Sequence, residues 1–331
     1  MILRVFILIN NFFKKYNNMK NFTRTEDFTK DEHLEIIRRA EIFHDGIKNK
    51  KSFAHLCPGA VIATEFFQES TRTAAIIQAA MIRLGGGWFG ISGIKGTYLE
   101  SGEEDLEDTL NAVAPLCDVM AVRHKTFDLT SFAEKGFRVP LINAMCGGEE
   151  HSIAGIAYTL ISKKYFNELK GMKVGLYGMS KSSRPIKAVV KVMSYFGVEF
   201  YEDSVIPEFK MPEHIVRVIE KNGSVYKQEK LDDFIGKVDH LFVIEGLPQT
   251  GEDENLINKF NELFVPISKE HMGKILKNAI VDVIEPRSTT DGRLVALKET
   301  DDDSRMVGKE LLEMGVYVTM AVITYLLDIE V

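Results

Sequence analysis

From Phe28 onward the apolar positions recur with two alternating periods, one suited to helices and one to strands. Thr29 is placed to cap a helix through Phe43, with Ile36, Ile37, Ala40 and Phe43 on the buried stripe. Glu35, Arg38 and Glu41 then face water, and Ile42 departs from the stripe. Val61-Ile62-Ala63-Thr64-Glu65-Phe66-Phe67 is rich in β-formers. The stripe at Ile77, Ala80, Met81 and Leu84 predicts a helix that stops at Gly85-Gly86-Gly87. Ser70-Thr71-Arg72-Thr73 therefore falls at a strand-to-helix turn. Asp118 to Val122, Val139 to Ala144, Met172 to Gly178, Leu241 to Ile244 and Ala279 to Ile284 read as further core strands. A last helix-like run spans Leu311 to Leu327. No long linker, repeat or low-complexity tract interrupts the alternation, so the pattern predicts an α/β protein with parallel-type sheets flanked by helices.

Length turns this into a two-domain expectation, because 331 residues exceed what one hydrophobic core usually serves. With 45% hydrophobic and 27% charged residues the chain is an ordinary globular one. A formal charge of -7 argues against a general nucleic-acid or anionic-membrane binder. Cys57, Cys117 and Cys146 make neither a Cys-x-x-Cys nor a Cys/His pairing, so no disulfide framework and no metal site is signalled, and a reducing, cytoplasmic compartment is expected. Met1 to Phe13 is largely apolar, but Lys14 and Lys15 follow it, whereas a secretory signal puts its charge first. The run is also shorter than the about 20 residues needed to cross a bilayer. It reads as a misassigned start, with Met19 the true one, or as an extension.

The candidate chemistry sits where strands end. A helix's first turn offers unpaired N–H groups and a positive dipole end, Ser70, Thr71 and Thr73 add hydroxyls, and Arg72 adds a planar fork for phosphate oxygens. A plain N-cap with a solvated arginine is the competing reading. Arg123-His124 follows one later strand, and His151 follows another through Cys146-Gly147-Gly148. Ligands of open α/β sheets gather at such carboxyl ends. Two guanidinium groups and an imidazole suit a phosphate leaving group and a polarised carbonyl oxygen. Gly175 and Gly178 do not complete Gly-x-Gly-x-x-Gly, which argues against a dinucleotide enzyme.

Together Phe66 to Thr73, Leu84-Gly85-Gly86, Asp108-Thr109, Val122-Arg123-His124, Val139 to Ala144 and His151 resemble the aspartate and ornithine carbamoyltransferase family, from about Phe28 to Leu327. The paired Phe and the Arg-His step look closer to the aspartate branch. The resemblance implies a carbamoyl-phosphate domain over residues 19–150, completed by 305–331 through a returning C-terminal helix, and an acceptor domain over 151–304. Residues 1–18 stand outside both. It also implies a homotrimer, no organic cofactor, and transfer of the carbamoyl group of carbamoyl phosphate to an amino acid, aspartate leading. By resemblance Ser70 to Thr73 hold the phosphate, with Arg72 also opposing developing charge, while Arg123 and His151 contact the carbonyl oxygen. Lys95 is the candidate for a lysine lent to a neighbouring subunit, and Ser101 takes that place under a different anchoring. Arg184 is the leading acceptor residue, with a surface arginine as the alternative.

Three departures from the family pattern bear on the chemistry, one at the carbamoyl group and two at the acceptor. His-Pro-x-Gln reads His151-Ser152-Ile153-Ala154, so the glutamine for the carbamoyl amide is missing. The segment after Ile244 lacks the branch's arginine and glutamine, and Gln249 is a shifted substitute. The His-Pro-Leu-Pro turn is replaced by Val283-Ile284-Glu285-Pro286, which puts Glu285 and Pro286 beside the acceptor. These departures leave open a catalytically silent homologue that binds a phosphorylated metabolite as a regulatory or assembly subunit.

Overall fold

The computed structural model describes residues 20–245, 253–284 and 294–331. Close contacts divide the chain into two compact units, Met1–Gly147 with Leu312–Val331, and Gly148–Leu311.

In the first unit, among the described residues, β1 (Val61–Phe66), β2 (Gly87–Ser92), β3 (Val119–Arg123) and β4 (Leu141–Asn143) form a parallel sheet of order β2-β1-β3-β4. The helices are α1 (Lys30–Lys48), α2 (Arg72–Arg83), α3 (Leu106–Val113), α4 (Leu129–Glu134) and the C-terminal helix Leu311–Leu326. Thr29 and Glu32 close a capping box on α1, which runs beyond Phe43 to Lys48. Ala63, Leu110, Met120, Val122, Leu129, Phe132 and Leu141 pack into one cluster on a sheet face. Burying a side chain of Leu or Phe size contributes about 1.5–3 kcal/mol, which is what holds α3 and α4 to the strands.

The C-terminal helix packs into this unit, as expected. The Tyr325 hydroxyl donates to Glu32 Oε1 at 2.7 Å, and the Tyr317 ring meets His44 edge-on at 5.4 Å. Strand β2 was not legible beforehand. It is a mostly exposed edge reading Gly-Trp-Phe-Gly-Ile-Ser, and Gly90 at φ +151 approaches so closely that a Cβ would stand 2.1 Å from Thr64 O.

In the second unit the described strands β5 (Lys173–Gly178), β6 (Glu199–Asp203), β7 (Val225–Gln228), β8 (His240–Ile244) and β9 (Ile280–Val283) are parallel, in the order β7-β6-β5-β8-β9. Helices α5 (Ser152–Phe166), α6 (Arg184–Ser194), α7 (Glu213–Lys221) and α8 (Glu254–Leu263) accompany them. Tyr177 stacks on Phe264 at 4.9 Å, within a cluster that includes Phe209, Phe234, Phe260 and Val281. On the other face of the sheet a fully buried polar chain joins helix to strand. Ser162 Oγ lies 2.9 Å from His240 Nδ1, and His240 Nε2 lies 3.0 Å from Asp282 Oδ2.

Candidate functional site

Within the first unit the strand ends bring the predicted phosphate residues close together. Phe66 and Arg123 are partners in the β1–β3 register, and Phe67 N donates to Arg123 O at 2.9 Å. The chain leaving β1 and the last residue of β3 are thus tied at the carboxyl end of the sheet's two central strands. From there Ser70 and Thr71 lead into α2, whose first residue is Arg72. Thr71 occupies the cap position without a side-chain capping bond, and the first turn holds no acidic residue. The competing reading, a plain N-cap, is not the one observed. The contrast with α1 is physical: Thr29 and Glu32 satisfy that helix's first N–H groups, while the opening of α2 has neither a side-chain cap nor an acidic residue in its own first turn. Thr73 is buried, Ser70 half-buried, and Arg72 exposed.

Arg123 is oriented by the loop after β4. Asn143 Oδ1 accepts the backbone N–H groups of Met145 and Cys146 at 2.8 and 2.7 Å, and Asn143 Nδ2 donates to Thr23 O at 2.9 Å. This tight turn holds Met145 at φ +84, a conformation that side chains other than Gly rarely adopt. Its thioether accepts Arg123 Nη1 at 2.9 Å. A thioether is a weak acceptor, so it steers the guanidinium without competing strongly with an anion for it.

Beside Arg123, His124 Nδ1 accepts the backbone N–H groups of Thr126 and Phe127 at 3.2 and 3.0 Å. The remaining proton of the neutral ring is therefore on Nε2, and burial holds the imidazole below its usual range. One strand position away from Phe66, Glu65 is buried on β1, and burial pushes its carboxyl up to about 7. Lys95 is exposed in the turn after β2. The Ser101 hydroxyl is occupied locally, donating to Tyr98 O at 3.0 Å.

In the second unit His151 and Arg184 are brought together by their backbones. His151 N donates to Arg184 O at 3.2 Å, which joins the start of α5 to the start of α6. Both side chains are half-buried. Ala154, at the position of the family's glutamine, is buried in the first turn of α5. Gln249, Glu285 and Pro286 lie outside the described residues, as do residues 1–18.

Sequence reasoning missed the groups that hold His151 in place. Glu150 Oε2 pairs with Lys191 Nζ at 3.0 Å, with side-chain exposures of 1% and 5%. Lys187, itself buried, donates from Nζ to Gly148 O at 2.7 Å, and burial lowers its ammonium from the usual range. The available signal was the doublet Glu149-Glu150 directly before His151, with lysines four residues apart on α6.

Among the described residues no group of three or more His, Cys, Asp or Glu could hold a metal ion, and no helix is long and apolar enough to cross a membrane. The family model described as "Aspartate/ornithine carbamoyltransferase, carbamoyl-P binding domain" matches residues 20–162. The aspartate carbamoyltransferase catalytic subunit of Clostridium perfringens (strain SM101 / Type A) is 30% identical over 311 residues, covering 93% of this chain and 98% of the relative. That of Clostridium novyi (strain NT) is 29% identical over 312 residues, covering 94% and 99%. Among solved structures, the catalytic subunit of M. jannaschii aspartate transcarbamoylase is similar at a TM-score of 0.81 and 26% identity, covering 94% of this chain and 98% of that one.

Proposed function

The chain belongs to the aspartate/ornithine carbamoyltransferase family, and on that premise we propose that it transfers the carbamoyl group of carbamoyl phosphate to the amino group of aspartate. One observation carries the reading. Arg72 opens α2 at the exit of β1, and Arg123 ends the neighbouring β3 in the same parallel sheet. Two cations and an uncapped helix end suit a phosphate whose charge grows as its bond to the carbamoyl carbon breaks.

In the proposed reaction the acceptor's neutral amine attacks the carbamoyl carbon, and negative charge moves onto the carbonyl oxygen. Arg123 and His151 oppose that charge. The C–O bond to phosphate then breaks, and the electron pair leaves with the phosphate, which Ser70, Thr71, Arg72 and Thr73 hold. The amine's surplus proton passes to the departing phosphate, so the balance calls for no metal or organic cofactor. Arg184 is assigned to the acceptor's carboxylate. The first unit acts as the carbamoyl-phosphate domain and the second as the acceptor domain.

Lys95 and a homotrimer belong to the same proposal, with the lysine lent to a neighbouring copy. A strictly monomeric active enzyme in sedimentation would sink that part alone.

Mass spectrometry of the protein incubated with carbamoyl phosphate and a panel of amines tests the whole. The panel includes aspartate, ornithine, other diamines and neutral amino acids. Carbamoyl aspartate that disappears with Arg72→Ala is the expected result. Product from a different amine would replace aspartate as the acceptor, and no product from any amine would overturn the transfer.

A further inference from the structure

The segment that carries His151 is fastened to one face of α6 at successive turns. Arg184 O accepts His151 N at 3.2 Å, Lys187 Nζ donates to Gly148 O at 2.7 Å, and Lys191 Nζ pairs with Glu150 Oε2 at 3.0 Å. Residues 184, 187 and 191 share a helix face by their spacing, and Ala188 on that face lies against Gly155 of α5. Glu150 uses both oxygens: Oε1 accepts the Ser152 hydroxyl at 2.5 Å while Oε2 takes the ammonium. The residues immediately before and after His151 are therefore tied to each other through one carboxylate, and that carboxylate is tied to α6.

We propose that Lys191, acting through Glu150, is a positioning residue that fixes the direction of the His151 imidazole. Fold stability alone is a poor account of a pair so deeply buried, because well-packed neutral residues of similar volume hold a core at least as well. The ion pair contributes direction. A carboxylate locked between a hydroxyl on one side and an ammonium on the other leaves the intervening backbone little freedom, and His151 N is fixed by Arg184 O besides. A catalytic imidazole needs its ring atoms held to a fraction of an ångström. The task of His151 rests on the proposed carbamoyl transfer, while the clamp rests on the geometry of the second unit.

Two variants test it, Lys191→Met and the double Lys191→Met with Glu150→Gln. The single variant takes the paired ammonium away from the buried Glu150 carboxylate. The double removes both charges of the pair, so its thermal midpoint should stay close to that of the unaltered protein. For a positioning role, kcat falls by about 10²-fold in the single variant, with KM for carbamoyl phosphate little changed, and stays depressed in the double. Turnover restored in the double variant would reduce the pair to a fold staple and overturn the inference.

The side-chain 1H–15N signal of His151 provides a readout independent of turnover. It should shift in both variants, and an unmoved signal overturns the clamp. If the unaltered protein makes no carbamoylated product, the transfer reading fails by itself and this signal still decides the clamp.

Discussion

A Cβ added to Gly155 would stand 2.7 Å from the Cβ of Ala188 and 2.9 Å from its backbone carbonyl carbon. Helices α5 and α6 cross there at a distance that only glycine permits, one turn beyond His151. Gly155→Ala should therefore push the helices apart and destabilise the protein by about 1–3 kcal/mol, read as a lower urea midpoint. Ala188→Gly in the same chain should recover part of the loss, since it removes one of the two clashing atoms. An unchanged midpoint for Gly155→Ala would mean that the helices separate at no cost.

Arg123→Ala removes the guanidinium assigned to the carbonyl oxygen. Loss of one well-placed oxyanion donor costs about 2.7–4 kcal/mol of transition-state stabilisation, so kcat for carbamoyl transfer should drop by about 10²–10³. Steady-state kinetics at saturating carbamoyl phosphate would check it, and unchanged turnover would take Arg123 out of the mechanism.

Glu65 makes stability depend on pH with an unusual sign. Its folded pKa of about 7 lies above the unfolded carboxylate value, so the folded state holds the proton more tightly. Stability is then unaffected below about pH 4, falls as pH rises toward 7, and stays reduced above that, by about 3 kcal/mol in full. Glu65→Gln should abolish this fall and leave the variant more stable than the parent at pH 8. Calorimetric midpoints at pH 5 and pH 8 would measure it, and parallel pH profiles for the two proteins would refute it.

The Ser162–His240–Asp282 chain has the residue types of a hydrolytic relay, but all three side chains are fully buried. Ser162 Oγ also bonds to Tyr158 O at 3.1 Å, which engages its proton and leaves it to accept from His240 Nδ1. Asp282→Ala would leave an uncompensated buried imidazole and should destabilise by about 3–5 kcal/mol. A loss below about 1 kcal/mol, the range of exposed pairs, would show that the interaction is not desolvated.

The fold was legible where burial follows period. Ile77, Ala80, Met81 and Leu84 are all buried as their spacing predicts, and His240–Ile244 and Ile280–Val283 are strands in the runs read as core. Strands β2, β6 and β7 were not identified: β2 and β7 are mostly exposed edges whose residues need not be apolar, and β6, an interior strand, carries Glu199, Glu202 and Asp203 among its apolar positions. Thr29 signalled its cap through Glu32, whereas Thr71 shares the residue type but makes no capping bond. Lys187 and Lys191 were invisible for a different reason. A helical lysine is normally solvated. Only the tertiary fold, which sets Gly148 and Glu150 against α6, shows that these two are buried.

The first unit draws on two stretches of chain separated by the whole of the second. On a ribosome, which adds residues in order, Gly148–Leu311 emerges as one uninterrupted piece and can fold as soon as it is out. Met1–Gly147 has been synthesised by then, yet it must wait for Leu312–Val331. Until those residues arrive, Ile76 lacks Gly315 and Glu32 lacks Tyr325. The part made first is thus completed last, and during translation its uncovered apolar flank is the surface that chaperones would have to shield.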